Sequence, residues 1–364
     1  MSGQFGMGEQ IGKFPPQGHS CAGKDAPRYR EAGVDLDAAE RTKAGLKGLV
    51  AATRDKNTLS DLGSFAGLYL VPPGVRAPVL VASADGVGTK LKVAFLSGRH
   101  GTVGRDLVNH CVNDILVQGA RPLFFLDYLA VGAMDEDVVT EVVAGVALGC
   151  RENGCALLGG ETAQMPDFYA AGEYDLAGFV VGVVERERVL DGSAVRVGDV
   201  LVGIASTGLH TNGYTLARRI VFDQLGLGPD DPFPTTGQSV ADELLGVHRS
   251  YVRPLLPIVE GDRVHALAHI TGGGIPGNLP RVLGPGLGAV VRRGSWDLPP
   301  VFSALQRAGS LPLEEMDRVF NMGVGMIAIV PPAHADGVIA SLRSGGETAW
   351  IMGEIEAGHG VRYG

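Results

Sequence analysis

Four polar residues recur along one predicted helix, at residues 104–120, and their chemical types suit cation binding. Asp106, His110, Asn113 and Asp114 stand at i, i+4, i+7 and i+8, which places them on one stripe of a helix that is mostly apolar elsewhere. Carboxylate and amide oxygens are ligands that Mg²⁺ prefers. The stripe therefore indicates a metal site, and a solvated polar face is the alternative interpretation.

A second candidate is the stretch ADGVGTK, residues 84–90, in which an acid ends a predicted strand and glycines follow. The stretch fits neither the GxxxxGK[ST] spacing of a P-loop nor the GxGxxG pattern of a dinucleotide site. Asp85, just past a buried strand, is nevertheless placed to hold a cation that is shared with phosphates. A plain turn between two strands explains the stretch equally well when it is taken alone.

Further polar groups accompany glycine-rich turns or interrupt apolar strands. Asp127 is the charged residue inside FFLDYLA, and since a buried carboxylate is costly, it is predicted to belong to a site or a polar network. Glycine turns before helices suit phosphate, because helix N–H groups there lack partners. The remaining candidates are Glu161 after a double glycine, His210 and Asn212 in one turn, Gly272, Gly273 and Gly274 in another, and Asn321. Ordinary glycine turns and a structural histidine are the alternatives.

Alternating hydrophobic patterns predict the elements that position these groups. They indicate strands at 77–85, 122–132, 155–160 and 175–186, helices at 104–120 and 135–153, and an earlier helix capped by Asp35 or Asp37. A polar joint at 189–200 separates this half from a second half with similar alternation. We therefore expect an α/β (α+β) fold with domains at 28–190 and 191–364, preceded by a mobile arm at 1–27.

Composition excludes several classes of protein. The 364 residues carry a formal charge of −9 and no Lys/Arg run, which argues against a nucleic-acid partner. We find no apolar stretch of about 18 residues that could span a membrane, and no apolar signal core at the start, so a cytoplasmic location is expected. The four cysteines form no CxxC pair, so reduced thiols are expected.

Taken together, the motifs resemble those of the aminoimidazole ribonucleotide synthetase family, the phosphoribosylformylglycinamidine cyclo-ligases. The resemblance runs in order through nearly all of the chain after residue 28. It is carried by YREAGVDLDA, DGVGTKLKVA, GRDLVNHCVNDILVQGA, PLFFLDYLA, GGETAQMP, DLAGFVVGVVE, STGLHTNGYTL, HITGGGIPGNLPR and FNMGVGM. It implies ATP-dependent closure of formylglycinamidine ribonucleotide to aminoimidazole ribonucleotide. It also implies a homodimer whose N-terminal sheets join into a β-barrel and a C-terminal α/β sandwich-like domain that closes the substrate cleft.

The resemblance also implies roles for individual residues, carried over by position. The implied catalytic residues are His210, Asp114 and Lys47, with His210 as a candidate base. Nucleotide-binding residues are Asp85, Gly86, Gly88, Thr89, Lys90, Asp106, Asn113 and Glu161. The substrate-binding residues are Asn212, Gly272, Gly273, Gly274 and Asn321. The implied Mg²⁺ ligands are Asp85, Asp106 and Asp114. The resemblance leaves open whether a monovalent cation also binds. Periodicity alone would make Lys47 a solvated helix residue.

Two other interpretations stay open from the motifs. A related synthetase or kinase of the same superfamily is one, since CAGK at residues 21–24 superficially fits the reactive segment of selenophosphate synthetase. A non-catalytic nucleotide-binding module of the same fold is the other. Loss of the acidic groups would favour such a module, yet Asp85, Asp106 and Asp114 are all present.

Overall fold

A computed structural model of the chain describes residues 30–62 and 66–364. The predicted arm and its CAGK stretch lie outside the described residues. Two sheets, one of four strands and one of six, divide the described chain into two α/β halves, as the fold class predicted. The predicted boundary between 190 and 191 falls between the last strand of the first sheet and the first strand of the second, and it stays a prediction.

The first sheet has the strand order β1-β4-β2-β3, with β1 and β2 antiparallel to β4 and β3 parallel to β2. Its strands are β1 (Pro78–Gly86), β2 (Arg121–Val131), β3 (Ala156–Gln164) and β4 (Tyr174–Glu185). The associated helices are α1 (Leu36–Ala51), α2 (Leu91–Ser97), α3 (Val103–Leu116) and α4 (Glu136–Asn153). A short 3₁₀ turn, Gly88–Lys90, connects β1 to α2.

Side-chain caps explain where the two long outer helices begin. Asp35 accepts the N–H of Ala38 at the start of α1, and Asp135 accepts two N–H groups at the start of α4. Such caps satisfy donors that the first helical turn leaves free. Of the two predicted caps for α1, the structure uses Asp35.

The second sheet has the order β10-β7-β9-β5-β8-β6. Its strands are β5 (Val200–Ala205), β6 (Ala266–His269), β7 (Leu287–Val291), β8 (Val324–Val330), β9 (Ala349–Ala357) and β10 (Gly360–Tyr363). Its helices are α5 (Tyr214–Arg218), α6 (Val240–Leu244), α7 (Val252–Glu260), α8 (Gly274–Asn278), α9 (Pro300–Gly309), α10 (Leu313–Val319) and α11 (Ala335–Ser344).

Two predicted element boundaries are wrong in instructive ways. The helix predicted to reach residue 120 ends at Leu116, because Gly119 turns the chain with φ +81° and a Cβ there would lie 2.9 Å from the carbonyl oxygen of Arg188. The strand predicted to end at residue 160 continues to Gln164, since β3 pairs with β2 as far as Val131. Glu161 therefore stands inside a strand and not in a turn after one.

One face of the first sheet is covered by helices, while the other is apolar and open. On the open face, the side chain of Leu80 is 59% exposed and that of Phe179 is 46% exposed. The strand register places further apolar residues beside them: Ala82, Ala84, Ala177, Val181, Phe124 and Leu126. Monomeric proteins rarely leave a contiguous apolar surface of this kind uncovered.

Among the described helices, none combines the length and apolar character that a membrane crossing requires.

Asp127 is buried on the helix-facing side of β2 and has no side-chain partner among residues 30–62 and 66–364. Gly160 stands opposite it on β3, and a Cβ at that position would lie 2.1 Å from Asp127 Oδ1. The second glycine of LLGG therefore makes room for a carboxyl group of the core. Burial raises the pKa of Asp127 to about 7.

The Asp127→Asn variant should gain stability relative to the parent chain as the pH rises from about 4 to about 8. The unfolded carboxyl ionises near 3.8 and the folded one near 7, so the folded parent loses stability across that window. At 1.36 kcal/mol per pKa unit the relative change is at most roughly 4 kcal/mol. Urea unfolding at several pH values measures it, with exposed Asp223→Asn as the control. A difference that does not vary with pH would contradict the assignment.

Candidate active site

A cleft of about 600 Å³ opens where the turn after β1 meets the turn after β5. Its lining includes Gly88 and Thr89 from the first turn and Asn212 from the second, and Thr89 Oγ1 lies 2.9 Å from Thr215 Oγ1 across it. The structure thus brings the predicted nucleotide turn and the predicted substrate turn to one surface. The other lining residues are Thr211, Gly213, Tyr214, Thr215, Leu216, Arg219, Glu315 and Val319.

The residues of the polar stripe of α3 contact two different parts of the molecule. Two of its residues, Asp106 and Asn113, hold the segment 246–251 of the C-terminal half together with Asn109 beside them. Asn109 Nδ2 donates to His248 O (2.7 Å) and Asn113 Nδ2 to Arg249 O (2.8 Å). Asn113 Oδ1 accepts the N–H of Tyr251 at 2.9 Å, and Asp106 Oδ1 accepts that of His248 at 2.7 Å. Asn113 and Asp106 thus fasten the two halves together, and their predicted ligand roles stay predictions.

Lys90 and Asp106 form an ion pair with both side chains fully buried, Nζ lying 2.8 Å from Asp106 Oδ2. The other donors of Lys90 reach Gly246 O at 2.7 Å and His210 O at 3.2 Å, so the ammonium group has three acceptors. Burial lowers the pKa of Lys90 and raises that of Asp106, while each partner's charge opposes the shift. This closed arrangement disfavours the predicted roles of Lys90 at the nucleotide and of Asp106 at a metal.

The other residues of the stripe, His110 and Asp114, contact the end of β1. His110 Nε2 lies 3.0 Å from Asp85 Oδ2, and Asp114 Oδ1 lies 2.8 Å from His269 Nδ1. Ser83 Oγ donates to Asp114 Oδ2 at 3.2 Å. The two carboxylates remain 40% and 30% exposed, in contrast to Asp106. Burial raises the pKa of Asp114, but the hydrogen bond and charge of His269 outweigh it and hold the pKa below its ordinary value.

Four histidines pack together beside these acids. The His210 and His248 rings stack with centroids 4.0 Å apart, and His110 stacks on His248 at 5.1 Å. His248 Nε2 lies 3.1 Å from His269 Nε2. Burial and the neighbouring histidines lower the pKa values of His110, His210 and His248, so the last two rings are neutral at physiological pH.

His210 is fixed by the backbone around it. The residue has φ +61°, its Nε2 accepts the N–H of Thr207 at 3.1 Å, and its Nδ1 is buried with no hydrogen-bond partner among the described residues. In the neutral ring, the proton therefore resides on Nδ1. This arrangement suits a hydrogen-bond donor better than the predicted general base, and the catalytic role of His210 stays a prediction.

The predicted substrate residues differ in what they can offer. Asn212 Nδ2 is buried without a described partner and borders the cleft, and a Cβ on Gly272 would lie 3.2 Å from Asn212 Oδ1, so those two turns adjoin. Gly274 instead packs against α10, where a Cβ would meet Asp317 O at 1.9 Å. The side chain of Asn321 forms hydrogen bonds with Ser206, Gly208 and Gly323, and these bonds stabilise the turn after β5.

Two predicted residues lie apart from the cluster in the described contacts. Lys47 is exposed on α1, which packs on α4 and β3, and Glu161 is exposed on β3. The two remaining predicted residues are glycines. Gly273, with φ +98°, is exposed in the turn after β6, and Gly86 ends β1.

Sequence reasoning missed His248 and His269. His248 stands alone in its stretch, and His269 shares its stretch only with His265, which pairs elsewhere with Asp199. The hydrogen bonds between α3 and these two residues span 142 and 155 positions. For His269 a weak signal existed, since it directly precedes the ITGGG turn at the end of a buried strand. His110 was visible in the helix stripe, but it was not assigned a role.

Comparison with known proteins assigns both halves to one family. Residues 73–184 match the model described as AIR synthase related protein, N-terminal domain, and residues 196–364 match the corresponding C-terminal domain. A phosphoribosylformylglycinamidine cyclo-ligase of Trichlorobacter lovleyi is 51% identical over 92% of this chain and 96% of its own. A phosphoribosylformylglycinamidine cyclo-ligase of Sorangium cellulosum is 53% identical over 90% of this chain and 94% of its own.

A solved structure of hydrogenase maturation protein HypE in complex with ATP has a similar fold. The TM-score is 0.64 at 21% identity, with 90% of this chain and 89% of that chain covered.

Lys90→Met should destabilise the chain by about 3–5 kcal/mol, because it leaves the buried carboxylate of Asp106 without its cation. The double variant Lys90→Met/Asp106→Leu should lose less than the sum of the two single variants. Urea unfolding at fixed protein concentration measures both. Arg41→Met, which breaks the exposed pair with Glu136, serves as the control and should cost less than about 1 kcal/mol. Equal losses at the two pairs would show that the Lys90 pair does not hold the halves together.

Proposed function

The chain belongs to the phosphoribosylformylglycinamidine cyclo-ligase family, and from this premise we propose how its cleft carries out the reaction. The activity is the ATP-dependent cyclisation of formylglycinamidine ribonucleotide to 5-aminoimidazole ribonucleotide, with release of ADP and phosphate, in purine biosynthesis. The observation that carries it is the near-complete match in length, at about half identical residues, to relatives of that name. The kinase-like and non-catalytic alternatives are not favoured.

The reaction asks the protein mainly for positioning and charge neutralisation. ATP phosphorylates the formyl oxygen of the substrate, the amidine nitrogen attacks that carbon, and phosphate leaves as the imidazole ring closes. We place the nucleotide phosphates beside Gly88 and Thr89 and the substrate beside Asn212, because these residues border one cleft. Arg219, exposed on the same cleft, supplies a cation for phosphate oxygens. Asn212 Nδ2 and His210 Nδ1 are buried donors without described partners and are suited to bind a substrate oxygen.

The residues present fit Mg²⁺ at Asp85 and Asp114. Both carboxylates are partly exposed, and both interact electrostatically with His110 between them. One or two carboxylates shared with substrate phosphates is the usual protein contribution to a Mg²⁺ site. When bound there, Mg²⁺ would neutralise charge on the transferred phosphoryl group. His110 and His269 orient the two carboxylates through the hydrogen bonds described above.

A second copy of the chain is the proposed occupant of the open apolar face of the first sheet. Pairing of two such faces would give the β-barrel expected from the family resemblance. The exposed Leu80 and Phe179, with the apolar residues beside them, support this proposal. The predicted roles of Lys47, Glu161 and a monovalent cation, and the cytoplasmic location, stay predictions.

Asp114→Asn should lower turnover by at least about 100-fold, because it removes a charge that stabilises the phosphoryl group in transit. The assay mixes purified protein with formylglycinamidine ribonucleotide, ATP and Mg²⁺ and follows aminoimidazole ribonucleotide. Asp191→Asn, an exposed substitution outside the cleft, is the control and should keep parental activity. If the parent binds ATP yet forms no product, the proposed function is wrong; if Asp114→Asn keeps full activity, only the metal role fails.

Phe179→Glu should convert the dimer to monomers, since it places a charge in the centre of the apolar face. Sedimentation of the parent and the variant measures the mass of the assembly. Val197→Glu is the matched control, because Val197 is also exposed, at 59%, but lies outside the first sheet. A variant that stays dimeric at Phe179 would show that the subunits meet elsewhere.

A further inference from the structure

Two histidine nitrogens of the cluster lie so close together that a proton or a metal ion must lie between them. His248 Nε2 and His269 Nε2 are 3.1 Å apart, and both residues are buried. Two imidazole nitrogens at this distance repel each other if each carries a lone pair, and form a bond only if a proton or a metal ion lies between them. The hydrogen bonds at the opposite ends of the two rings show where each neutral ring carries its own proton.

The hydrogen bonds at the far nitrogens determine both tautomers. A carboxylate only accepts, so His269 Nδ1, 2.8 Å from Asp114 Oδ1, carries a proton. By the same rule His110 Nε2, beside Asp85, carries a proton, and His110 Nδ1 therefore accepts the hydroxyl proton of Thr211 at 3.0 Å.

The hydroxyl oxygen of Thr211 is then free to accept, and His248 Nδ1 lies 3.2 Å from it. His248 therefore carries its proton on Nδ1, and its Nε2 presents a lone pair to His269 Nε2. Asn113 Nδ2 also lies 3.3 Å from His248 Nε2 and can donate to it. That contact satisfies only His248, and the lone pair on His269 Nε2 still has no donor.

We propose that His248 and His269 bind a transition-metal ion of the Zn²⁺ class through their Nε2 atoms, at a site separate from the Mg²⁺ carboxylates. Neutral imidazole is the ligand these ions prefer, whereas Mg²⁺ prefers oxygen. With Zn–N bonds of about 2.0–2.1 Å, neighbouring nitrogens of a tetrahedral site lie roughly 3.3 Å apart, close to the observed spacing. A metal-bound histidine typically donates its other N–H to a carboxylate or another oxygen, as His269 does to Asp114 and His248 does to Thr211.

His210 belongs to the histidine cluster but is not a third ligand. Its ring stacks on that of His248, with centroids 4.0 Å apart and planes 21° apart. Imidazole lone pairs lie in the plane of the ring, so those of His210 point past an ion held in the plane of His248.

The bound ion would connect elements of both halves of the molecule. His269 ends β6, His248 belongs to the segment held by α3, and Asp114 belongs to α3 itself. Bound metal should therefore raise the thermal stability of the chain, independently of any catalytic turnover.

The test is calorimetric titration of the chelator-treated full-length chain with Zn²⁺ in excess Mg²⁺, with Co²⁺ absorption as a report of tetrahedral nitrogen coordination. We expect one ion per chain and a rise in melting temperature. His248→Gln and His269→Gln should each weaken binding by at least about 100-fold, and Asp114→Asn by about 10–100-fold. His210→Gln should have the smallest effect of the three histidine variants.

Two controls locate the ion. His265→Gln alters a histidine that pairs with Asp199 outside the cluster, and it should leave Zn²⁺ affinity unchanged. A His19→Gln/Cys21→Ser double variant removes potential ligands from the region outside the described residues, and should also leave affinity unchanged. Circular dichroism confirms that each variant folds. If the parent binds no Zn²⁺ or Co²⁺, or if His248→Gln and His269→Gln retain parental affinity, a shared proton joins the two rings and the proposal is wrong.

Discussion

The ion pair between Lys90 and Asp106 is the interaction on which the arrangement of the cleft depends. A fully buried ammonium group is tolerated only when its charge and all of its donors are satisfied. Here one acceptor comes from α3 and two are carbonyls of the C-terminal half, at Gly246 and His210. The turn after β1 is thereby held against the turn after β5, which borders the cleft, and against the segment 246–251. If Lys90 moved, the turn that carries Gly88 and Thr89 would move with it.

Helix α3 contacts two different parts of the molecule through its polar residues. Asp106 and Asn113, with Asn109 beside them, bind the backbone of the segment 246–251. His110 contacts Asp85 and Asp114 contacts Ser83, both at the end of β1. The backbone groups His248 N, His248 O, Arg249 O and Tyr251 N thus have side-chain partners, which avoids the cost of leaving them unsatisfied. The helix positions the active-site acids by anchoring itself to the other half of the molecule.

The sequence predicted the fold class and most elements of the first sheet. It could not separate Asp106 from Asp114, because both lie on one stripe and only the packing reveals which is enclosed. The histidine cluster was out of reach for another reason. Its members come from four stretches that meet only in the folded chain, and no local pattern marks a lone histidine as a neighbour of three others. The double glycine before Glu161 was similarly ambiguous, since a glycine that admits a ligand and one that admits a core carboxyl group have the same sequence.

The pairing of Gly160 with Asp127 has an evolutionary consequence. A side chain at 160 would overlap the carboxyl group of Asp127, and its Cβ would also lie 2.6 Å from the carbonyl oxygen of residue 127. A smaller side chain at 127 would relieve only the first of these contacts. Glycine at 160 should therefore persist among related chains whichever residue stands at 127, without any contact to nucleotide or substrate.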